Sequence, residues 1–313
     1  MQEYSGEFAE FWYNVPTALE KAGALWLVRS GRNIAKPGYA VGPKVIDCYG
    51  FHFIMEGKVR LEYNGESQLL QKNDLFCLMP HISYYYRMAP SVQSLRMVWI
   101  TLDGGQLPEL LARIGLNAGV PYIRGAIGRS VRRALAHLVA GSSAGAAADP
   151  LLRQSELLRL FALLGGAASA GRPKLATQPL TPQDGEAAAG VDEAEPRRRQ
   201  QAKQLPSRWL AEAVAYIRLH YTEPLSIAEL AATAGVHRSH YSSMFAKEAG
   251  YSPQRLILRL RMEKAVSLLA ADTLTITETA LSVGYPDVYS FSRAFKKYYG
   301  KPPSDWRGMR QQS

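Results

Sequence analysis

Arg293, flanked by Val288, Tyr289 and Ser292, and Arg238 with Ser239, Ser242 and Ser243 are side chains whose types and spacing suit the reading of a base edge. A planar guanidinium can donate to O6 and N7 of guanine together, which assigns Arg293 to a guanine. Serine hydroxyls are smaller readers, so the first set implies a weaker preference or one carried through water. Lys247, Lys296, Lys297 and Lys301 stand at the far ends of the same segments, placed for phosphate rather than bases.

Such a set must sit on a helix whose other side is buried. Tyr241, Met244 and Phe245 share one side of the first segment, and Phe291 and Phe295 turn inward on the second. Both segments belong to a phrase written twice, Phe245-Ala-Lys247-Glu-Ala-Gly250-Tyr-Ser-Pro253 and Phe295-Lys-Lys297-Tyr-Tyr-Gly300-Lys-Pro-Pro303, fifty residues apart. Ahead of each lies a run of small residues closing on glycine, Ala231-Ala232-x-Ala234-Gly235 and Ala280-x-x-Val283-Gly284. The spacing predicts a duplicated helix-turn-helix. Ser226 caps residues 227–233 before a helix over 237–249, and Thr275 caps 276–283 before one over 287–299. Helices over 208–220 and 253–271 complete the array. Two copies are too few for a solenoid but suit a bipartite reader of duplex DNA, whose major-groove faces recur every ~34 Å.

Charge agrees with an anionic partner. The 313 residues carry a formal net charge of +10 and an isoelectric point near 9.5. From Pro206 onward there are fourteen Lys and Arg against nine Asp and Glu, a modest and dispersed excess.

The rest of the chain reads differently. From Leu25 to Leu102 short β-rich runs alternate with turns, among them Leu25–Arg29, Lys44–Tyr49, Phe51–Met55 and Tyr84–Arg87, with Asn64-Gly65 as a two-residue hairpin turn. They predict a β-sandwich or small barrel. Residues 125–140 and 149–164 show helical spacing, with apolar stripes able to pack on the β-domain or on a second subunit. Residues 165–204 lose all pattern and read as a flexible linker, with Arg197-Arg198-Arg199 as a solvated charge run. Cys48 and Cys77 read as buried reduced thiols. No apolar run approaches the ~20 residues that span a bilayer, and the acidic, aromatic N-terminus is unlike a signal peptide, so a cytosolic protein is expected.

The C-terminal third resembles the DNA-binding domain of the AraC/XylS family of bacterial transcription regulators. The resemblance rests on Ile227-Ala-Glu-Leu-Ala231, Gly250-Tyr-Ser-Pro253, Arg261-Met-x-x-Ala265, Ala280-x-x-Val-Gly284-Tyr285 and Ser290-Phe-Ser-Arg-x-Phe295-Lys-Lys297. It implies two helix-turn-helix units joined by one long helix, with base-proximal roles for Arg238, Ser239, Ser242, Ser243, Val288, Tyr289, Ser292 and Arg293. The β-rich segment resembles the cupin-like sensor domain that precedes such units, through Phe53-Ile-Met-Glu-Gly57, Asn73-Asp74-Leu75-x-x-Leu-Met-Pro80 and Tyr84-Tyr85-Tyr86. By that resemblance Tyr86 and Trp99 line an effector pocket. Arg29, Tyr49, His52, His81, Arg87 and Met97 join them as candidates by strand position.

The expected fold is α+β and multidomain: an N-terminal β-barrel or jelly roll of the cupin type over 1–124, dimerisation helices over 125–165, a linker over 166–205, and an all-α double helix-turn-helix over 206–313. The expected partners are double-stranded DNA at promoter half-sites, a small-molecule effector with a sugar as the favoured class, a second copy of the chain, and RNA polymerase; no membrane is expected. No cofactor or metal is expected, because His52 has Ile54 where an H-x-H pair would place its second histidine, and His81 stands apart. Two rival readings remain: a cupin-type enzyme fused to a DNA-binding module, and a dimeric regulator that holds no ligand.

Overall fold

The computed structural model describes residues 1–143, 149–169, 208–223, 225–234 and 236–308. The segment 170–205 of the expected linker, with its arginine run, and the expected turn residue Gly235 lie outside the described residues.

The N-terminal region is antiparallel β. Its strands are β1 (Gln2–Glu3), β2 (Glu7–Tyr13), β3 (Trp26–Ala35), β4 (Ala40–Lys44), β5 (Tyr49–Glu56), β6 (Lys58–Tyr63), β7 (Glu66–Gln71), β8 (Leu75–Leu78), β9 (Tyr84–Met88), β10 (Arg96–Asp103) and β11 (Tyr122–Ile123). Among the described residues they form a seven-stranded sheet, β1-β2-β3-β10-β5-β8-β11, and a four-stranded sheet, β4-β9-β6-β7. Alternation along each strand separates two cores. Ile54, Phe76, Leu78 and Met97 of the large sheet meet Val59, Leu61, Leu70, Tyr84 and Tyr86 of the small one, which makes the interior of a jelly roll. Leu27, Phe51, Phe53, Cys77, Ile100 and Leu102 point to the other face, where helices cover them.

Those helices follow α1 (Ala18–Lys21) and are α2 (Leu107–Arg113), α3 (Arg129–Ser143) and α4 (Pro150–Ser169). Val131, Ala134, Leu135 and Leu138 of α3 and Leu157, Leu160, Phe161 and Leu164 of α4 fill the outer core. Helix α4 continues past 165 into residues read as linker. Arg153 of α4 forms an ion pair at 2.6 Å with the fully buried Glu20, tying the helix to α1.

The C-terminal region comprises α5 (Arg208–His220), α6 (Ile227–Thr233), α7 (Arg238–Ala249), α8 (Pro253–Ala271), α9 (Ile276–Ser282), α10 (Val288–Tyr299) and α11 (Pro303–Gly308). Helix α8 serves two cores in succession. Leu256 and Ile257 pack with Leu210, Ile217, Tyr241 and Phe245 of the first unit. Met262, Ala265 and Leu269 pack with Ala280, Val283, Phe291 and Phe295 of the second. Its nineteen residues make a rod about 28 Å long whose two halves brace the two units.

The expected strand over 44–49 is not formed. Lys44 ends β4 and Tyr49 begins β5, while Val45 joins the core of the second helix-turn-helix unit. Alternation of Val45, Asp47 and Tyr49 mimics a strand, but the apolar partner lies in the other domain.

Candidate functional site

The fold positions two sets of candidate side chains. The first is the exposed face of α7 and α10. On α7, Tyr241 and Phe245 are buried, which turns Arg238, Ser239 and Ser243 outward and leaves Ser242 half-buried. On α10, burial of Phe291 and Phe295 turns Tyr289 and Arg293 outward, with Val288 and Ser292 half-buried beside them. Tyr289 is 83% exposed, an unusual state for a large aromatic ring on a rigid helix. Lys247, Lys296 and Lys297 are exposed in the last turns of the two helices.

The helix ends are defined alike. Gly250 and Gly300 adopt the left-handed conformation at φ 78° and 79°, and each amide donates back into the last turn, to Ala246 and Lys296. That requirement explains why glycine recurs in the duplicated phrase. The N-termini differ. Asp287 accepts from the Ser290 amide at 2.7 Å, and this hydrogen bond holds its carboxyl below the usual range. In α7 the cap is His237, whose Nδ1 accepts from the Ser239 hydroxyl at 2.8 Å. Ser239 therefore spends its hydroxyl proton on the cap, a use that sequence reasoning missed.

The second set lines the inside of the jelly roll. Register pairs Trp99 with both Gly31 and His52, Thr101 with Arg29, and Met97 with Asn33 and Ile54. Paired residues share a face, so Arg29, Asn33, His52, Met97, Trp99 and Thr101 all belong to the inner side. Trp99 lies flat against β3 because Gly31 has no side chain; a Cβ there would overlap the indole ring. His52 stacks on Phe76 with ring centres 4.7 Å apart and meets Tyr86 at 5.2 Å. Burial holds its imidazole neutral, its pKa pushed down to about 3. Asn33 Oδ1 and His52 Nδ1 are buried without a hydrogen-bond partner among the described residues. Unpaired buried polar atoms are costly, and in an interior of mixed aromatic and polar groups they suit a polar ligand.

Of the eight expected sensor residues the fold gathers Arg29, His52, Tyr86, Met97 and Trp99 on this inner face. Tyr49, His81 and Arg87 are placed elsewhere. Tyr49, three residues before His52, falls on the helix-covered side. Arg87 follows the inward Tyr86, points out and pairs with Glu62 at 3.8 Å. His81 is exposed in a left-handed turn at φ 68° after β8 and lines an outer groove of about 610 Å³ with Tyr49, Asp103 and Leu116. Strand alternation was the available signal against Tyr49 and Arg87. Sequence reading missed Thr101 on β10, and also Asn33, whose Nδ2 donates to Glu7 of β2, because β2 and the second half of β3 lack an alternating pattern.

The two sets are joined by direct contacts between the domains. Val45 N donates to Ser282 Oγ at 2.9 Å, Ser83 Oγ to Glu278 Oε1 at 2.8 Å, and Lys264 Nζ meets Asp47 at 2.5 Å. Tyr13 of β2 lies against Tyr216 and His220 of α5, and His220 Nε2 donates to the Asn14 carbonyl at 3.2 Å. Arg29 Nε donates to Thr101 Oγ1 at 3.1 Å, while its Nη1 forms an ion pair with Glu223, beyond the end of α5. Burial opposes both charges, and each partner offsets that cost for the other: Arg29 is raised and Glu223 lowered, so the pair stays ionised.

A family model described as an AraC-like ligand binding domain matches residues 32–161, and one described as a helix-turn-helix domain matches 230–309. The chain is 26% identical to the Msm operon regulatory protein of Streptococcus mutans over 86% of its own length and 87% of the relative's. It is also 26% identical to the raffinose operon transcriptional regulatory protein RafR of Pediococcus pentosaceus, over 88% and 91%. Among solved structures, the C-terminal domain of AraT, a response regulator from Geobacillus stearothermophilus, is 35% identical over 33% of this chain and 87% of that one, with a TM-score of 0.32. Among the described residues, no helix is long and apolar enough to cross a membrane.

Proposed function

We propose that this chain, which belongs to the AraC family of transcriptional regulators, reads promoter half-sites with α7 and α10 and answers to a sugar held inside its jelly roll. The observation that carries the reading is the pairing of two exposed helical faces, on units that share α8, with a polar inner sheet face in the sensor domain. Arg293 and Tyr289 read bases in one groove, Arg238 and the serines in the next, and Lys247, Lys296 and Lys297 bind phosphate. The relatives named for the Msm and raffinose operons support a sugar as effector. Trp99 and Tyr86 offer ring faces, and Asn33 and His52 offer hydrogen-bonding atoms. The domain relatives are regulators rather than enzymes, which favours sensing over turnover.

A second copy of the chain pairs along α4. Its inner face fills the outer core, yet Leu151, Leu152 and Leu158 are 58%, 69% and 47% exposed on the other side. Dimerisation there places two readers on adjacent half-sites and multiplies affinity through effective concentration. The protein would act in the cytoplasm, with RNA polymerase as its further partner at the promoter.

Selection of bound duplexes from a random library, followed by footprinting with and without a panel of mono- and oligosaccharides, tests this function. A recurring bipartite site whose occupancy changes with a sugar is the expected result. Equal binding to all duplexes under every condition would refute it.

A further inference from the structure

Arg29 is the cationic group on the inner face of the sensor sheet, and its partner comes from the other domain. The Glu223 carboxylate reaches it from the segment after α5, and both side chains are largely buried, 11% and 21% exposed. Around the pair stand Thr101, which accepts from Arg29, and Tyr13 and His220, whose rings pack at 4.5 Å. Lys44 adds positive field at both Glu223 and His52. A ligand entering this corner displaces one member of an ion pair. A neutral polyol would leave the guanidinium desolvated and without its counter-charge, whereas a carboxylate restores it with the same fork geometry. Asn33 Oδ1 and His52 Nδ1, buried and unpartnered on the same sheet face, provide the hydrogen bonds for ring hydroxyls.

We infer that Glu223 occupies the anion subsite of the effector pocket, and that the effector is a sugar acid whose carboxylate takes Arg29 from Glu223 and so releases the DNA-binding domain from the sensor. The inference rests on the sugar-responsive reading above and names the class of sugar. Once Glu223 has left, the domains keep the Val45 amide on Ser282 and His220 on the Asn14 carbonyl, together with the partly solvated contacts of Asp47 with Lys264 and Tyr221 and of Ser83 with Glu278, but lose their buried ion pair.

Calorimetric titration of the full chain with D-galacturonate, D-glucuronate and D-gluconate, against D-galactose and D-glucose, tests it. At least one acid is expected to bind tenfold or more tightly than its neutral parent. Glu223→Gln keeps the shape and removes the competing charge, so it should tighten that acid by a further tenfold and leave neutral hexoses within twofold. Small-angle scattering should show the wild type expanding when the acid is added, and E223Q already expanded without it. Asp47→Asn loosens the rim without touching Arg29 and should preserve the acid preference, which separates anion competition from a merely weakened interface. Neutral hexoses binding as tightly as their acids, an acid affinity unmoved by E223Q, or no binding by any of the three acids would overturn the inference. An operator response to neutral hexoses alone sinks it while sparing the regulator reading; absence of sequence preference on any duplex sinks that reading whatever binds in the sensor.

Discussion

The two helix-turn-helix units share a frame and differ in face. Both bury two aromatic rings of the second helix, Tyr241 and Phe245 in one and Phe291 and Phe295 in the other, and both stop that helix on a left-handed glycine. Unit one presents Arg238 and serines, one of them committed to the His237 cap; unit two presents an exposed tyrosine and arginine behind an aspartate cap. Their attachments differ as well. Unit two leans on the sensor through α9 and takes Val45 into its core, whereas the first reaches the sensor through the end of α5. Interior packing tolerates little change, so the frame repeats. The solvent face is free to diverge, and there the units present different side chains.

The largest expected effect tests the shared frame. Phe295→Ala and Phe245→Ala should each cost about 3–5 kcal/mol, the usual loss for a buried ring, as read by urea melts. Only Phe295→Ala should also loosen the sensor contact at Val45, detectable by amide exchange at Val45 and Ser282. Equal loosening by both would erase the distinction in attachment.

Next comes the difference in face. Arg293→Ala should lose roughly 1–3 kcal/mol of binding and relax preference at one base pair, while Ser243→Ala changes little. Uniform weakening on every sequence would make Arg293 a phosphate contact.

Acid tests the attachment. Burial depresses His220, as it does His52, from 6.5 to about 3. Between those values the unfolded chain binds protons that the folded chain refuses, so stability falls as pH drops below 6.5. Each histidine should forfeit about 1 kcal/mol by pH 5.5, and the lowered carboxyl of Glu223 adds loss of the same sign at still lower pH. Thermal melts from pH 7.5 to 5.5 measure this, with His220→Gln expected to flatten the slope. A profile with no acid loss would place His220 in water.

The smallest effect concerns phosphate. Lys297→Ala should weaken binding on all sequences alike and lower the salt slope by about one. An unchanged slope would remove Lys297 from the interface and leave Lys296 as the phosphate contact of α10.

Much of the C-terminal half was legible because its signals are local. Ser226 and Thr275 cap where their side chains suggest, the helices over 208–220 and 253–271 match, and the burial of Phe245 and Phe295 follows from spacing. In the sensor the Asn64-Gly65 hairpin was equally legible, with both residues at positive φ. Strands β1 and β2 were not, since Glu7-Phe8-Ala9-Glu10-Phe11-Trp12-Tyr13 alternates poorly; pairing of β2 with β3, and of β1 with β2, stabilises them. The two-residue period of β5 and β9 sends Tyr49 and Arg87 away from the face that holds His52 and Tyr86.

Sequence alone determined the duplicated helical frame and the charge sign that suits its partner, because caps, glycine stops and apolar spacing act within a few residues, and net charge needs no geometry. Only the tertiary structure decided which polar residues share the inner sheet face, and that Arg29 meets Glu223 across 194 positions of chain. Strand register and domain docking bring together groups whose separation in sequence carries no trace of their contact, and burial then makes each charge depend on an opposite partner.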